Sequence, residues 1–374
     1  MMRLLLFEGL FILGLAVSAY FISLSQKVGY ETLDEDIFIG GQKGTEAELD
    51  LERLKDENDA VEVGGTAAVS HYRNILLVGV DAREQSKMTS GANADVLMIV
   101  NINEKTGEVR LVSILRDTLL RLVNGGKYHK DRLYDKANAQ NCYTGISDTV
   151  SMLNMNLDLD IEEYVVVNWS AAAQIIDTIG GIEMTIENEE ILGYLNGYLT
   201  EVNKETGMHS PQIRQTGTQM LTGTQAVAFC RIRYAGLQDS GRTANQREMI
   251  VKVLDKMKHL LFEKPSILMK VVNQAAESVV TNMTLKELGV LAFKAGDYQI
   301  TEHTAFPFSY VSGNNGGRVT ELTDGVKDFL AADNLEQNVV RLHQYLYGDE
   351  AADYAAPSYV KQISEDIQWM MGDN

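Results

Sequence analysis

The sequence predicts an α/β domain with a central, mostly buried mixed β-sheet flanked by helices, and one N-terminal transmembrane helix in front of it. Three observations lead to this prediction. Short apolar runs bounded by polar residues are typical of strands that are buried on both faces. Segments with apolar residues at helical spacing alternate with those runs, as they do in α/β domains. Residues 4–24 form an apolar stretch that is about long enough to cross a bilayer.

The first predicted segment is a transmembrane signal anchor at residues 1–27. A cleaved signal peptide is the competing interpretation, because Ala16-Val17-Ser18 forms a weak small-x-small cleavage site. The apolar run continues past that site through Ile22, which favours an uncleaved anchor. The charges on either side of the span leave its orientation nearly open. If the segment is an export signal, the chain is a single-pass protein of the cell membrane with its bulk outside the cytoplasm.

Residues 28–70 are predicted to be an acidic, flexible stalk. Residues 31–62 contain twelve Asp or Glu and three Lys or Arg, a composition typical of a solvated segment. The stalk is either a spacer that holds the domain away from the membrane or a linker with no role of its own. We expect the folded domain at residues 71–347 and a loose acidic tail at residues 348–374.

The strands of the domain are predicted from apolar runs that end at polar residues or glycines. They lie at residues 75–80, 96–102, 109–114, 164–167, 182–186 and 225–234. The turn at residues 103–107 makes the second and third strands a hairpin.

The helices are predicted from N-cap residues and from apolar periodicity. Ser147 can cap a helix that runs to about Asn156, and Ser170 can cap another that ends at Gly180-Gly181. Apolar side chains recur at helical spacing over residues 249–261, which predicts a long helix. Residues 266–346 are expected to complete the same domain with further helices and a strand or two.

Charge and cysteine content exclude several classes of site. The formal net charge is −19, and so acidic a surface repels nucleic acid, so we expect no DNA or RNA partner. An anion site in this chain requires a local cluster of Arg or Lys. Cys142 and Cys230 are too far apart to match a metal-binding motif. Cys230 lies in an apolar run, which favours a buried thiol over a disulfide.

Charged residues cluster at the ends of the first three predicted strands. Asp81 and Arg83 follow the first strand, Asp95 precedes the second, and Arg116 and Asp117 follow the third. Ligands of open α/β sheets bind outside strand ends, and carboxylates from two neighbouring strands can hold Mg²⁺. Taken singly, each Asp is better explained by structure: Asp81 as a turn or cap residue, Asp95 as a surface residue at a strand end.

The strongest candidate anion site is further along the chain. Arg231 and Arg233 lie two residues apart on the predicted strand at 225–234, so both guanidinium groups would lie on one face. Asp239, Arg242 and Gln246 follow at helical spacing. The planar guanidinium fork matches phosphate oxygens. An internal salt-bridge network of these arginines with Asp239 and Asp117 explains the same pattern equally well.

Short motifs around these residues occur in a fixed order. They are Asn-Ile-Leu-Leu-Val-Gly-Val-Asp-Ala-Arg at 74–83, Asp95, Ser-Ile-Leu-Arg-Asp-Thr at 113–118, Lys136-Ala137-Asn138, Asp-Thr-Ile-Gly-Gly-Ile at 177–182, Leu-Thr-Gly-Thr-Gln-Ala at 221–226, Arg231-Ile232-Arg233, and Asp239-Ser240-Gly241-Arg242 with Gln246. With these motifs in this order, residues 71–262 resemble the LytR-CpsA-Psr family. Each motif is weak alone, and the ordered set makes a chance similarity very unlikely.

The resemblance implies a phosphotransferase. Members of this family move a glycan polymer, such as a teichoic acid or a capsular polysaccharide, from a polyprenyl-pyrophosphate carrier to peptidoglycan. Partners are then the lipid-linked glycan, peptidoglycan and the bacterial membrane. Two alternatives stay open: a hydrolase of polyprenyl pyrophosphates, and a non-catalytic lipid- or wall-glycan-binding regulator of cell-wall synthesis.

The resemblance also implies roles for single residues. Asp81 and Asp95 match carboxylates that bind Mg²⁺, with Mn²⁺ as the alternative ion. The residues matching the pyrophosphate site are Arg83, Arg116, Lys136, Arg231, Arg233, Arg242 and Gln246. The expected catalytic group is Asp81, Asp95, Arg116, Asp117 and Asp239, in which Asp117 or Asp239 is the candidate base.

The chain departs from the family pattern at three positions. Asn93 and Asn245 stand where the family usually has Arg, and Leu115 stands where it usually has Pro. Arg247 follows Asn245 closely enough to be a candidate substitute. A charge-assisted hydrogen bond contributes about 1.5–3 kcal/mol, so two missing guanidinium groups predict a different donor lipid, weaker transfer or a binding role alone.

Overall fold

The structure is a computed structural model that describes residues 27–40, 71–82, 84–124, 133–232, 238–264, 266–267, 270–271, 273, 279–313, 323 and 326–372. The predicted anchor lies outside the described residues apart from Lys27, and the predicted stalk lies outside them from residue 41 onward. Among the helices in the described part of the chain, none is both long enough and apolar enough to cross a bilayer.

A seven-stranded mixed sheet forms the centre of the domain. The strands, in chain order, are β1 (Gly29–Tyr30), β2 (Tyr72–Val80), β3 (Ala94–Asn103), β4 (Glu108–Ile114), β5 (Leu119–Arg121), β6 (Tyr134–Lys136), β7 (Glu163–Asn168), β8 (Ile182–Ile186), β9 (Gly217–Leu221), β10 (Val279–Thr281), β11 (Gln299–Phe306), β12 (Tyr310–Gly313) and β13 (Phe329–Ala332). The order in the main sheet is β1-β10-β7-β2-β3-β4-β11. The sheet is mixed, because β2 pairs parallel with β7 and antiparallel with β3.

Helices cover both faces of this sheet. They are α1 (Ala139–Tyr143), α2 (Ile146–Leu157), α3 (Trp169–Thr178), α4 (Glu189–Thr206), α5 (Gly223–Phe229), α6 (Gln238–Glu263), α7 (Leu285–Lys294), α8 (Leu335–Tyr347) and α9 (Ser358–Met371), with short 3-10 helices at Gln85–Lys87 and Gly348–Ala351. Leu76 and Leu97 belong to a core that includes residues of α2, α8 and α9. Ile75 and Met98 belong to a second core that includes residues of α3 to α6. The predicted α-β-α arrangement is confirmed.

Five of the predicted strands are present, at β2, β3, β4, β7 and β8, and the hairpin turn joins β3 to β4. The two helix starts differ by a residue or two from the prediction. The N-cap of α2 is Gly145, and Ser147 instead accepts a hydrogen bond from the Asp34 amide at 3.2 Å. The N-cap of α3 is Asn168, whose side chain accepts from the Ala171 amide at 2.8 Å. Asn and Ser are about equally good N-cap residues. Residue type therefore could not distinguish Asn168 from Ser170, and only the observed start of the helix does.

The predicted strand at residues 225–234 is wrong. Gly223–Phe229 form the helix α5, and Arg231 lies in the turn that follows it. The helix begins with a capping box, in which Gln225 Oε1 accepts from the Thr222 amide at 2.9 Å. The capping box satisfies amide groups at the start of the helix. In a strand, the same amide groups would need hydrogen-bond partners on a neighbouring strand. The period-2 argument that placed Arg231 beside Arg233 therefore does not apply.

The folded domain extends beyond both of its predicted boundaries. The first residues of the predicted stalk pack on the domain: β1 pairs with β10, and the Gly40 amide donates to Leu159 O at 2.7 Å. The predicted loose tail contains α9, whose apolar face includes the buried Val360 and Ile363. Removing these side chains from water outweighs the acidic composition of the tail.

Asp160 is a half-buried carboxylate whose Oδ1 accepts a hydrogen bond from Asn74 Nδ2 at 2.5 Å, and burial raises the pKa of Asp160. Because the pKa of this carboxyl is higher in the folded than in the unfolded protein, ionisation of the group lowers the free energy of unfolding. This destabilisation disappears once the pH falls below the pKa of the unfolded protein, about 3.9. Asp160→Asn should therefore raise Tm at pH 7, and the gain should shrink towards pH 4. Thermal unfolding at both pH values measures it. The exposed Asp353→Asn is the control, and an equal gain from it at pH 7 would contradict the explanation.

Candidate functional site

The ends of β2 and β3 bring two predicted site residues to one edge of the sheet. Gly79 pairs with Val96 and Val80 pairs with Ala94, so Asp95 is the extra residue of a β-bulge. A bulge redirects the side chain at that position and often lies next to a site. Asp81 directly follows Val80 and is exposed. The two carboxylates therefore stand at adjacent strand ends, as the sequence predicted.

Four charged side chains form a connected cluster at this edge. Arg116 Nη1 lies 2.6 Å from Asp95 Oδ1, and Arg116 Nε lies 3.5 Å from Asp117 Oδ2. Lys136 Nζ lies 3.3 Å from Asp117 Oδ1. The Asp117 side chain is only 7% exposed, whereas those of Asp95 and Lys136 are each 23% exposed. The cluster contains two cations and two carboxylates that alternate along its contacts, so its formal charges sum to zero without a ligand. We call these four residues the strand-end cluster.

Backbone hydrogen bonds hold the strand-end cluster in place. The Asn138 amide donates to Arg116 O at 3.0 Å, and the Ala137 amide donates to Thr118 O at 2.8 Å. The Ala94 amide donates in turn to Asn138 O at 3.1 Å. The motif at residues 136–138 thus joins the segment after β4 to the start of β3. This explains how Lys136, which lies well beyond the three strand ends in sequence, belongs to the cluster.

Arg231 lies near Asp81 but has a different direct partner. Its Nη1 forms an ion pair with Glu205 Oε2, at the end of α4. Burial disfavours the charged guanidinium, but the hydrogen bond to Glu205 and the charges of Glu205 and Asp81 outweigh it, so the pKa of Arg231 is raised. Arg231 therefore lies in anionic surroundings that include Asp81.

Arg242 and Gln246 lie on one buried face of α6, as the helical spacing predicted. Gln246 Nε2 donates to Cys230 O at 3.3 Å, which places this face against the residue that precedes Arg231. Cys230 and Cys142 are both free thiols, and burial raises the pKa of Cys230. The expectation of a buried thiol rather than a disulfide is confirmed.

Three predicted residues cannot be placed in this site. Arg83 and Arg233 lie outside the described residues, and the side chain of Asp239 is also outside them, although α6 begins one residue earlier. Their roles stay predictions. Glu205 is a site residue that no sequence pattern indicated. It lies 26 positions before Arg231, and no local pattern links a helix terminus to a turn so far away.

Two of the family-like motifs have structural roles. Asp177 Oδ1 accepts a hydrogen bond from the Gly223 amide at 2.6 Å, so the end of α3 holds the start of α5. A Cβ atom at position 223 would lie 1.9 Å from Ala173 O, which shows how closely the two helices approach. These contacts hold α3 against α5, the helix that ends two residues before Arg231.

The Leu115 departure has a structural explanation. The Leu115 amide donates to Phe306 O at 2.8 Å and so extends the pairing of β4 with β11. Proline has no amide hydrogen and could not form this bond. At the other departures, Asn93 is exposed just before β3, and Asn245 is half-buried on α6.

The donor set at the sheet edge suits Mg²⁺ bound together with a phosphate ligand. Mg²⁺ is typically held by one or two carboxylates plus phosphate oxygens and waters, and Asp81 and Asp95 provide the carboxylates. No group of three or more His, Cys, Asp or Glu that could hold a metal occurs in the described part of the chain. An ion at this edge would therefore depend on oxygens of the ligand.

An apolar cavity of about 270 Å³ lies between the sheet and the helices α6 and α7. Its walls include Ile75, Val100, Val109, Leu254, Leu291 and Ile300. At about 3.4 Å per residue along β3, Val100 is about 17 Å from Asp95. The helix α6 runs from the Arg242 and Gln246 face to the cavity wall at Leu254. One helix thus connects the charged edge of the sheet with an apolar cavity.

The sequence of this chain matches known proteins over most of its length. The sequence model of the LytR_cpsA_psr family matches residues 38–332. Biofilm regulatory protein A of Streptococcus mutans is 30% identical over 218 residues, which are 57% of this chain and 50% of that protein. A polyisoprenyl-teichoic acid–peptidoglycan teichoic acid transferase, TagU of Bacillus mycoides, is 30% identical over 283 residues, 75% of this chain and 78% of that protein. The match to the first relative thus spans half of its length.

The fold is also shared with solved structures. TagT bound to LI-WTA superposes with a TM-score of 0.58 at 20% identity, covering 86% of this chain and 100% of that one. The family protein YwtF (TagT) with bound octaprenyl pyrophosphate lipid superposes with a TM-score of 0.53 at 19% identity, covering 85% and 99%. At these identities the likeness concerns the fold alone.

Proposed function

This chain belongs to the LytR-CpsA-Psr family, and on that premise we propose that it transfers a glycan polymer from a polyprenyl-pyrophosphate carrier to peptidoglycan. A teichoic acid is the favoured polymer, because the matched Bacillus relatives are named for teichoic acid transfer. The lipid bound to one structural neighbour, octaprenyl pyrophosphate, has the same chemistry as the proposed carrier.

The observation that carries the proposal is the connection between a charged sheet edge and an apolar cavity. The strand-end cluster and Arg231 offer guanidinium and ammonium groups to a diphosphate. The helix α6 leads from Arg242 to a cavity lined by aliphatic side chains. A polyprenyl pyrophosphate has a polar head and an apolar tail in this same order.

The reaction we propose is attack by a peptidoglycan hydroxyl on the phosphorus that carries the glycan. The bond from that phosphorus to the bridging oxygen breaks, and polyprenyl phosphate leaves with the electron pair. Arg116 and Arg231 would neutralise charge that develops on the phosphate oxygens. The hydroxyl proton passes to a carboxylate, and Asp117, which contacts Arg116 and Lys136, is our candidate.

We further propose that Asp81 and Asp95 hold Mg²⁺ when the diphosphate is bound, with Mn²⁺ as a substitute. A divalent ion there would supply Lewis-acid stabilisation of the phosphate oxygens. Asp95 already contacts Arg116 at 2.6 Å, so the carboxylate can orient the guanidinium as well as bind the ion.

The segment that precedes the domain supports a function at the membrane surface. We propose that residues 1–27 anchor the chain and that the domain lies outside the cytoplasm. The apolar run at 4–24 and the need of a polyprenyl carrier to stay in the bilayer both support this arrangement.

A single assay tests the proposed function. The full chain in detergent is incubated with lipid-linked teichoic acid, Mg²⁺ and peptidoglycan oligomers. A phosphodiester-linked product is the expected result. Release of free glycan phosphate would instead identify a hydrolase, and bound but unchanged lipid would identify a binding protein. Either of those outcomes would overturn transfer as the function.

The metal proposal has its own test. EDTA should weaken binding of octaprenyl pyrophosphate by the parent chain, and Mg²⁺ or Mn²⁺ should restore it. In the double variant Asp81→Asn/Asp95→Asn the EDTA effect should disappear, because the carboxylates that hold the ion are gone. Binding measured by fluorescence titration or calorimetry decides this. An EDTA effect of equal size in the double variant would rule out these residues as ligands.

A further inference from the structure

The chain contacts the domain as soon as the predicted anchor ends. The apolar run stops at residue 24, and β1 (Gly29–Tyr30) already pairs with β10. The Glu31 amide donates to Thr281 O at 3.2 Å, and the Tyr164 hydroxyl donates to Glu31 O at 2.7 Å. The folded domain therefore begins directly after the predicted anchor.

The register of the strands shows at which end of the sheet the chain enters. Gly29 pairs with Val280 of β10. Val280 pairs with Val166 of β7, which pairs with Val78 of β2. Across these pairs β1 runs antiparallel to β2, so the residues before Gly29 lie at the end of the sheet where β2 finishes. We call this end, which carries the two carboxylates of the proposed metal site, the site edge. Three strand spacings put β1 about 14 Å from β2.

A side chain from the segment after β2 supports this placement. Gln85 lies four residues after Asp81. Its Nε2 donates to Val279 O at 3.2 Å and to Lys27 O at 3.5 Å. A Cβ atom on Gly29 would lie 2.9 Å from the same Nε2, which shows how closely the two segments approach. The segment that follows Asp81 thus contacts the chain where it leaves the predicted anchor.

The end of the predicted span is therefore close to the site edge. An extended chain covers at most about 3.6 Å per residue, so the three steps from residue 24 to Lys27 span at most about 11 Å. The polar layer on each side of a bilayer is about 5–8 Å deep. Lys27 is exposed, and the Tyr30 side chain is 56% exposed. Lys and Tyr are side chains that membrane proteins place at the level of the lipid head groups.

The acidic segment at residues 41–70 begins and ends at the opposite end of the sheet. The Gly40 amide donates to Leu159 O at 2.7 Å. Leu159 lies just before β7, whose first residue pairs with Ile75 near the start of β2. After the acidic segment the chain enters β2 at Tyr72. This segment therefore connects two points at the end of the sheet away from the anchor, and it does not separate the anchor from the domain.

We propose that the domain is clamped directly on the lipid bilayer, with the site edge facing the membrane surface. The pairing of β1 with β10 and the contact of Gln85 with Lys27 form the clamp. This inference rests on the proposed membrane anchor and adds the orientation of the domain to it. A lipid diphosphate then meets the strand-end cluster at the level where its head group lies in the membrane, and its tail can follow into the cavity.

Depth measurements on the full chain in vesicles test this orientation. A fluorophore is attached through Ser86→Cys or Asn93→Cys at the site edge, or through Lys105→Cys in the turn after β3, all exposed positions. The background is Cys142→Ser, and the buried Cys230 is inert. The ten residues of β3 put about 30 Å between the two ends of the sheet. Vesicles of phosphatidylethanolamine and phosphatidylglycerol contain a lipid with a quencher on its head group. Quenching should remove most of the fluorescence at both site-edge positions and almost none at Lys105.

A double variant tests whether the clamp sets this orientation. Gln85→Glu turns a donor into a carboxylate that faces two backbone oxygens, and Tyr164→Phe removes the hydrogen bond to the residue after β1. Together they should lower the quenching at Asn93 towards the value at Lys105. Gln212→Glu makes the same change of charge at an exposed position and is the matched control. Unchanged quenching in the double variant would show that these contacts do not hold the domain and would overturn the clamp.

The outcomes separate this inference from the proposed function. Weak quenching at all three positions of a chain embedded in the vesicles would place the domain away from the bilayer and overturn the inference. Stronger quenching at Lys105 than at Asn93 would invert the orientation and overturn it as well. In either case, glycan transfer in the same vesicles would leave the proposed function intact. If alkaline carbonate extracts the chain from the vesicles, the proposed anchor and this inference fail together.

Discussion

Arg116→Ala is expected to reduce glycan transfer about 100-fold or more, the loss that follows removal of one preorganised donor from a phosphate or oxyanion site. Arg116 contacts both Asp95 and Asp117. Its removal takes a cation from the diphosphate and also leaves two neighbouring carboxylates that repel the same ligand. Initial rates with lipid-linked glycan and peptidoglycan oligomers measure the effect.

A control and a companion variant sharpen this test. Arg341→Ala removes an exposed arginine on α8 and should leave the rate unchanged. Asp95→Ala alone should also slow transfer, and the double variant with Arg116→Ala should lose less than the product of the single losses, because the two side chains act as one unit at 2.6 Å. A parent-like rate for Arg116→Ala would show that the strand-end cluster is structural.

Gly223→Ala is expected to destabilise the domain by about 3 kcal/mol, at the upper end for overpacked sites. The added Cβ would lie 1.9 Å from Ala173 O and 2.5 Å from Ala173 C. Both are backbone atoms of α3, so no side chain can rotate away, and the helices α3 and α5 must separate. Chemical denaturation with far-UV circular dichroism measures the change.

Gly197→Ala provides the matched control. Gly197 lies on the exposed side of α4, and an added Cβ meets no atom within 4 Å. Alanine has the higher helix propensity, so this variant should be more stable by about 0.5–1 kcal/mol. If both variants were equally tolerated, the close approach of α3 and α5 would not be a constraint on the fold.

The core strands could be predicted because burial on both faces leaves an unbroken apolar pattern. β2 and β3 contribute side chains to both cores, and their sequences show this directly. The segment at 225–234 misled the prediction because Ala226, Val227, Ala228 and Phe229 are apolar in either conformation. The capping pair Thr222 and Gln225 was the local signal that favours a helix.

The C-terminal tail and the start of the stalk show that amino-acid composition alone does not predict whether a segment packs on the domain. Both are acidic, and the sequence predicted them to be loose. Val360 and Ile363 are spaced on one face of a helix, and that face is buried in the core that also contains α2 and α8. An acidic segment can therefore be part of a core when its few apolar residues share a face.

The sequence by itself determined the fold class, the family and the residue types of the site, because these depend on local periodicity and on ordered motifs. Tertiary structure alone decided how the charges pair. Asp95, Arg116, Asp117 and Lys136 form one balanced cluster, Arg231 pairs with Glu205, and the buried Nε and Nη1 of Arg247 have no hydrogen-bond partner in the described part of the chain. Ion pairs form between atoms within about 4 Å of each other, and the fold brings those atoms together from strands and helices far apart in sequence.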